Sequence, residues 1–233
     1  MLALKTAVFC GRYTDLKECP KCHSKRYTDE TKRKPARKFI YLPIGPRLAR
    51  LFGSSSAEIL QNHSHTCHEE MYDIHDSPAW ERAYSSEGVF RGDTRGLSLA
   101  LCTDGVNPFS HNKVSYSMWP IMLTILNLPR EARNHFGNML LVGIVPGNGS
   151  KEAEHLSPYL EILVDELLEL SSSKLWDAYK CAPFDCKIDI LLHVLDYPGV
   201  GKVFQIVGSG AYKGCAWCNI EGTVLINVHS VEN

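Results

Sequence analysis

The residue pattern predicts an α/β protein built on a mixed sheet, with a three-strand meander, a helix, and a fourth strand lying parallel to the first. Three observations carry this. Residues 97–103, 118–128 and 139–145 are short apolar runs closed by turn signals. The stretch opening at Ser157-Pro158 has the period of a helix, and residues 188–194 alternate again as a strand. A helical crossover after the meander returns the last strand parallel to and beside the first, by the right-handed rule.

Taken in order, Leu97, Leu99 and Leu101 alternate with Ser98, Ala100 and Cys102, and the run ends in Asp104-Gly105. Residues 118–128 are rich in β-branched and long apolar side chains and close at Pro129, and residues 139–145 close at Pro146-Gly147. Both read as buried strands. Ser157 is expected to cap the helix, with Pro158 in its first turn. Leu160, Leu163, Val164, Leu167 and Leu168 then form its apolar face, opposite Glu161, Asp165 and Glu169. Residues 188–194 stop at Asp196-Tyr197-Pro198, so a second strand delivers an aspartate to its C-terminal end.

Composition bounds the class. The chain has 233 residues, 44% hydrophobic and 22% charged, with 25 basic against 26 acidic side chains, as in a soluble protein of one or two domains. A chain this long needs no disulfide or metal merely to own a core. No apolar run approaches the ~20 residues that span a bilayer. The first ten residues lack a small-residue cleavage site, so a signal peptide is not expected and the chain reads as intracellular. Nine cysteines are an odd number, and four of them form two C-x-x-C pairs, Cys19/Cys22 and Cys215/Cys218. In a reducing compartment that spacing reads as metal binding before disulfides.

Charge is segregated. Residues 1–53 hold 13 Lys or Arg and four acids, a surplus of nine positive charges. The densest part, Lys32, Arg33, Lys34, Arg37, Lys38, then Arg47 and Arg50, is interleaved with Phe39, Tyr41 and Phe52 and suits a phosphate backbone. A solvated basic face fits the same residues equally well. Residues 54–95 turn polar, with the cluster His63, His65, Cys67 and His68, and read as a linker in which residues 57–62 could form a short helix. The expected division is therefore a basic DNA-binding segment (1–53), a polar linker (54–95), an α/β core (96–223) and an unstructured tail (224–233).

With the fourth strand parallel to and beside the first, Asp104 and Asp196 reach the same edge of the sheet. Two carboxylates there make a hard-oxygen pocket suited to Mg²⁺ or Mn²⁺ and to phosphoryl transfer on nucleic acid. Each also reads as an ordinary turn residue beside Gly or Pro. Trp119, Trp176 and His193 read as core, and Cys102, Cys181 and Cys186 as buried or incidental thiols.

The blocks GLSLALCTDGVNPF, YSMWPIMLTILNLP, LLVGIVPGNGS, LSPYLEILVDELLEL, LDYPGVGKV and KGCAWCN resemble the core of CACTA-type (En/Spm-like) DNA transposases. LKECPKCHSKRY and KPARKFIYLPIGPRLARLF are similar to the segment preceding that core. The resemblance implies an RNase H-like domain that cuts transposon ends and joins them to target DNA in the nucleus, using two Asp, one Glu and Mg²⁺. By motif position the aspartates correspond to Asp104 and Asp196. A zinc-ribbon-like head around Cys19 and Cys22 is implied, with Cys10 and His23 as substitute ligands. The resembling proteins carry a C-x-x-C at the place of Cys215 and Cys218, which is read as a second zinc pair whose partners would come from the His63, His65, Cys67 and His68 cluster or from beyond the chain.

Glu221 and Glu232 are the acids that follow Asp196, and neither suits the third position. The tail after Thr223 also departs from the family pattern, so a truncated copy with an incomplete core is expected. The competing expectations are a non-catalytic DNA-binding relict or domesticated fragment, and a zinc-stabilised interaction module. Homo-oligomerisation is compatible with each.

Overall fold

The computed structural model describes residues 7–62, 70–109, 116–147, 155–208 and 210–223. The first part contains β1 (Tyr27–Asp29), β2 (Lys34–Pro35), β3 (Ile40–Tyr41), α1 (Gly45–Phe52), α2 (Ser56–Gln61) and α3 (Pro78–Tyr84). There follow β4 (Leu97–Thr103), β5 (Trp119–Ile125), α4 (Arg130–Arg133), β6 (Met139–Val145), α5 (Ser157–Ser171), β7 (Lys174–Asp177), β8 (Ala182–Asp185), β9 (Ile188–Val194) and α6 (Tyr197–Phe204).

Five of these strands form one mixed sheet in the order β3-β6-β5-β4-β9. The meander β4-β5-β6 is antiparallel, and β9 returns parallel to β4, pairing from Leu97 opposite Ile188 to Cys102 opposite Val194 with a one-residue register shift between Leu99 and Ala100. That is the pairing expected from the element order. Strand β4 lies between two neighbours and is buried along nearly its whole length, so its sequence alternation does not mark a wet face.

Two features depart from the residue pattern. The first is β3, which joins the far edge by pairing Ile40 with Ile144 and Tyr41 with Gly143. Phe39, Ile44, Leu48 and Phe52 from this stretch, and Ala57 and Leu60 from α2, belong to the same buried cluster as Leu97, Leu99, Ile121 and Val142. Burying four such large side chains is worth about 1.5–3 kcal/mol each, comparable to the stability of a whole domain. The compositional boundary at residue 53 is therefore not a break in packing. Nor are residues 54–95 simply a linker, since Trp80 of α3 is wholly buried and packs with Ala100 and Leu126.

The second departure is the facing of α5. Its buried residues are Pro158, Tyr159, Ile162 and Leu163, whereas Val164 and Leu168 are 48% and 64% exposed. The inward stripe is turned by about one residue, roughly 100°, from the leucine-rich one. Glu166 explains the turn. Helix α1 has no capping side chain of its own, and Glu166 Oε1 accepts from the Ile44 and Gly45 N–H groups at 2.8 and 2.9 Å, while its other oxygen accepts from the Tyr41 hydroxyl. An anion at a helix N-terminus satisfies otherwise orphaned donors, so this carboxylate faces inward. Ser157 is the first helical residue, and Leu156 holds the cap position.

Candidate functional site

Strands β4 and β9 run the same way and end together. Asp104 and Asp196 each lie two residues beyond the last registered pair, Cys102 and Val194, and both are exposed. Each carboxylate is steadied by its own backbone. Asp104 Oδ1 accepts from the Gly105 N–H at 2.6 Å, and Asp196 Oδ1 accepts from the Gly199 N–H at 2.7 Å as the N-cap of α6. The turn role and the shared-edge placement therefore coexist.

Close packing holds this edge together. A Cβ at Gly199 would lie 2.7 Å from Asp196 Oδ1 and 3.7 Å from the Thr103 carbonyl, so a bare glycine lets the first turn of α6 sit against the end of β4. A Cβ at Gly105 would meet the Trp119 indole at 3.0 Å. Lys202 of α6 places its ammonium 4.5 Å from the centre of that same ring. Trp119 thus links the Asp104 turn to α6.

Two hard carboxylates at one strand edge have the right donor chemistry for Mg²⁺ or Mn²⁺. Among the described residues, no group of three His, Cys, Asp or Glu side chains is gathered as a metal set. Glu221 is engaged elsewhere, accepting from the Tyr212 hydroxyl at 2.7 Å and pairing with Lys213 at 3.3 Å. Glu232 lies outside the described residues.

The cysteine pairs differ from one another. Cys19 is wholly buried against Ala7 and Phe9, and Cys22 is exposed with its thiol 3.3 Å from the Ser24 hydroxyl. They sit in a tight loop closed by an antiparallel backbone β-bridge between Glu18 and Lys25, with His23 in the left-handed region at φ 55°. Cys215 and Cys218 have their sulfurs 3.3 Å apart. Backbone donation from Trp217, then the Cys218 side chain, lowers the Cys215 thiol below its ordinary value. The Tyr197 hydroxyl donates to the Gly214 carbonyl at 2.7 Å, which seats this second pair beside α6. His63, His65, Cys67 and His68 lie outside the described residues.

The basic residues fall in three places. Lys32 and Arg33 lie in the exposed turn of the β1–β2 hairpin, Lys34 opens β2, and Arg37 and Lys38 follow it. Arg47 and Arg50 project from α1. Arg47 is partly structural, since its guanidinium donates to the Pro43 and Leu42 carbonyls at 3.1 and 2.7 Å, and burial lowers its pKa. Both arginines border a cavity of about 420 Å³ walled by Leu51, Ile59, Leu128 and Leu140.

Some residues behave otherwise than the sequence suggests. His193 is not a core histidine: it lies exposed on the edge strand β9 against the Phe204 ring, and the burial it does have lowers its pKa. Trp176 is 54% exposed, whereas Trp119 is core as expected. Of the remaining thiols Cys186 is buried, Cys102 half-buried and Cys181 exposed. Helix α6, which caps itself with Asp196, was foreshadowed only by an Asp-x-Pro start signal.

Among models of known families, that of the transposase family tnp2 matches residues 69–232. No curated protein and no solved structure matches the chain. The matched stretch covers more than two thirds of the sequence and includes the β4–β9 pairing, both edge aspartates and the Cys215/Cys218 pair. This chain belongs to the transposase family tnp2.

Proposed function

We propose that the chain carries part of the RNase H-like core of a CACTA-type transposase, a core that cuts DNA at transposon ends and joins those ends to target DNA, with its third acidic position unfilled by Glu221 or Glu232. Asp104 and Asp196 are two of its acidic residues. The observation supporting this reading is the parallel β4–β9 pairing, which brings two strand-terminal aspartates to one end of the sheet. In open α/β sheets, ligands gather at the carboxyl ends of strands.

Asp104 and Asp196 would hold Mg²⁺ or Mn²⁺, which when bound supplies charge neutralisation at phosphate and activation of a water or 3′-hydroxyl. The chain's own contribution is positional. The Gly105 and Gly199 N–H groups orient the two carboxylates, and Gly199 keeps Asp196 tight against β4. On the same reading, Lys32, Arg33, Lys34, Arg37, Lys38 and Arg50 contact DNA phosphates, with Arg47 anchored beside them. Cys19/Cys22 and Cys215/Cys218 are half-sites for structural Zn²⁺, and the protein works in the nucleus, as a homo-oligomer when two DNA ends are joined.

A Mn²⁺ titration of the purified chain beside Asp104→Asn and Asp196→Asn tests the acidic pair. Saturable binding lost in both variants is expected, and binding indifferent to both would overturn the assignment. For the basic contact, substituting Lys32, Arg33 and Lys34 together by Ala should flatten the slope of log affinity against log salt by about 3 for duplex DNA. Deletion of residues 1–53 would also remove β3 and α1 from the core, so the basic contact is tested by point substitution.

A further inference from the structure

The aspartate edge is flanked by a large aromatic side chain left in water. Trp217 is 74% exposed, although a buried indole typically removes 150–250 Å² from solvent. It is nevertheless held in place. Its backbone N–H donates to Cys215 Sγ at 3.4 Å, which fixes the main chain beneath the ring, and the ring itself meets Tyr197 at a centroid distance of 6.1 Å and 69° between planes. Tyr197 is itself fixed by its hydrogen bond to the Gly214 carbonyl and follows Asp196 directly. Trp217 therefore stands one residue and one ring contact from a candidate catalytic carboxylate. With so much of the residue exposed, at least one indole face remains open.

We propose that Trp217 is a stacking platform for an unpaired DNA base beside the aspartate edge. The inference rests on the DNA-processing reading above and adds the form of DNA the site takes. An open, tethered indole suits this task because every base offers a π-face, so stacking tolerates any sequence. Where terminal nucleotides of a DNA end are unpaired, an aromatic surface compensates the base stacking they have lost.

The test uses the full chain without added divalent metal, so that it is independent of the aspartates. Trp80 and Trp119 are buried, so Trp176→Phe leaves Trp217 as the one exposed indole of the four. In that background a short oligothymidylate should quench the fluorescence, whereas an abasic sugar-phosphate oligomer of equal length should bind without quenching. By anisotropy, Trp217→Ala should weaken binding of a DNA end with unpaired terminal nucleotides on the order of tenfold. Trp217→Phe should restore most of that loss, and blunt duplex should bind equally to all three chains. Absence of oligothymidylate quenching, or equal weakening on blunt and unpaired ends, overturns the proposal. Mn²⁺ titration of the same Trp176→Phe chain, with Trp217 in place, separates the two readings: metal binding with no oligothymidylate quenching removes the platform alone, while quenching without metal binding removes the aspartate assignment alone.

Discussion

The two ends of the central sheet are built on opposite principles. Where β4 begins, polar groups are buried and paired. Asn127 accepts from the Ser98 N–H at 2.8 Å and donates to the Leu60 carbonyl, the Tyr84 hydroxyl and the Gly96 carbonyl at 3.2, 2.8 and 2.9 Å. One amide thereby ties α2, α3 and β4 together. Nearby, the buried Arg133 grips Asp73 through two bonds of 2.8 and 2.6 Å and donates to the Leu128 carbonyl. Where β4 ends, Asp104 and Asp196 stand in water, each with one oxygen on a neighbouring N–H. A paired buried network stabilises the fold, while exposed carboxylates add little stability and remain available to a ligand.

Substitutions should divide along that line. The largest loss is expected for Asn127→Leu, which strands the Ser98 N–H and the Leu60 carbonyl without water and should cost about 3 kcal/mol in urea denaturation. A loss below about 1 kcal/mol would show that the network is dispensable. Arg133→Met leaves Asp73 without its fork, but the Asp73 side chain is 24% exposed and can rehydrate. About 2 kcal/mol is expected, less than for a fully buried pair. Thermal melting of Arg133→Met beside Asp73→Asn would check the coupling, since additive losses would mean the two act separately.

The closed end also governs alkaline stability. Burial pushes the Cys186 thiol from an ordinary 9.0 up to about 12, and the Tyr84 hydroxyl from 10.0 to about 12. Both groups ionise first in the unfolded chain. Their contribution is complete below about pH 9 and is lost as pH rises toward 12. Cys186→Ala should shallow that alkaline decline, and an unaltered pH profile in the variant would assign the decline to other groups. At the open end, Asp104→Asn and Asp196→Asn should each change stability by less than about 0.5 kcal/mol, because Asn caps a helix as well as Asp. A larger loss would mean the edge is structural and would erase the contrast.

The contrast was only half legible beforehand. Asp104 and Asp196 stand out because each closes a short apolar strand, and a helix between parallel strands leaves few ways to arrange them. Nothing local marks Asn127 as a hub or Glu166 as the cap of α1, 121 residues away in sequence from Gly45. Their roles come from partners that only folding brings near. His193 misled for the same kind of reason: its apolar neighbours suggest a core position, but among the described residues β9 is the sheet edge, with a strand partner on one side only. The β7–β8 hairpin has no readable period because Asp, Cys and Pro interrupt residues 174–185.

Local pattern alone was enough for β4, β6, β9 and the span of α5, since hydrophobic period and turn residues act over a few neighbours. Family membership rides on the same stretches, because motif blocks are local too. Which face of α5 turns inward, that β3 and α1 complete the core, and which ends of the strands are sealed or open were settled only when distant segments met. Burial and hydrogen-bond satisfaction are properties of that meeting, and no single segment carries them.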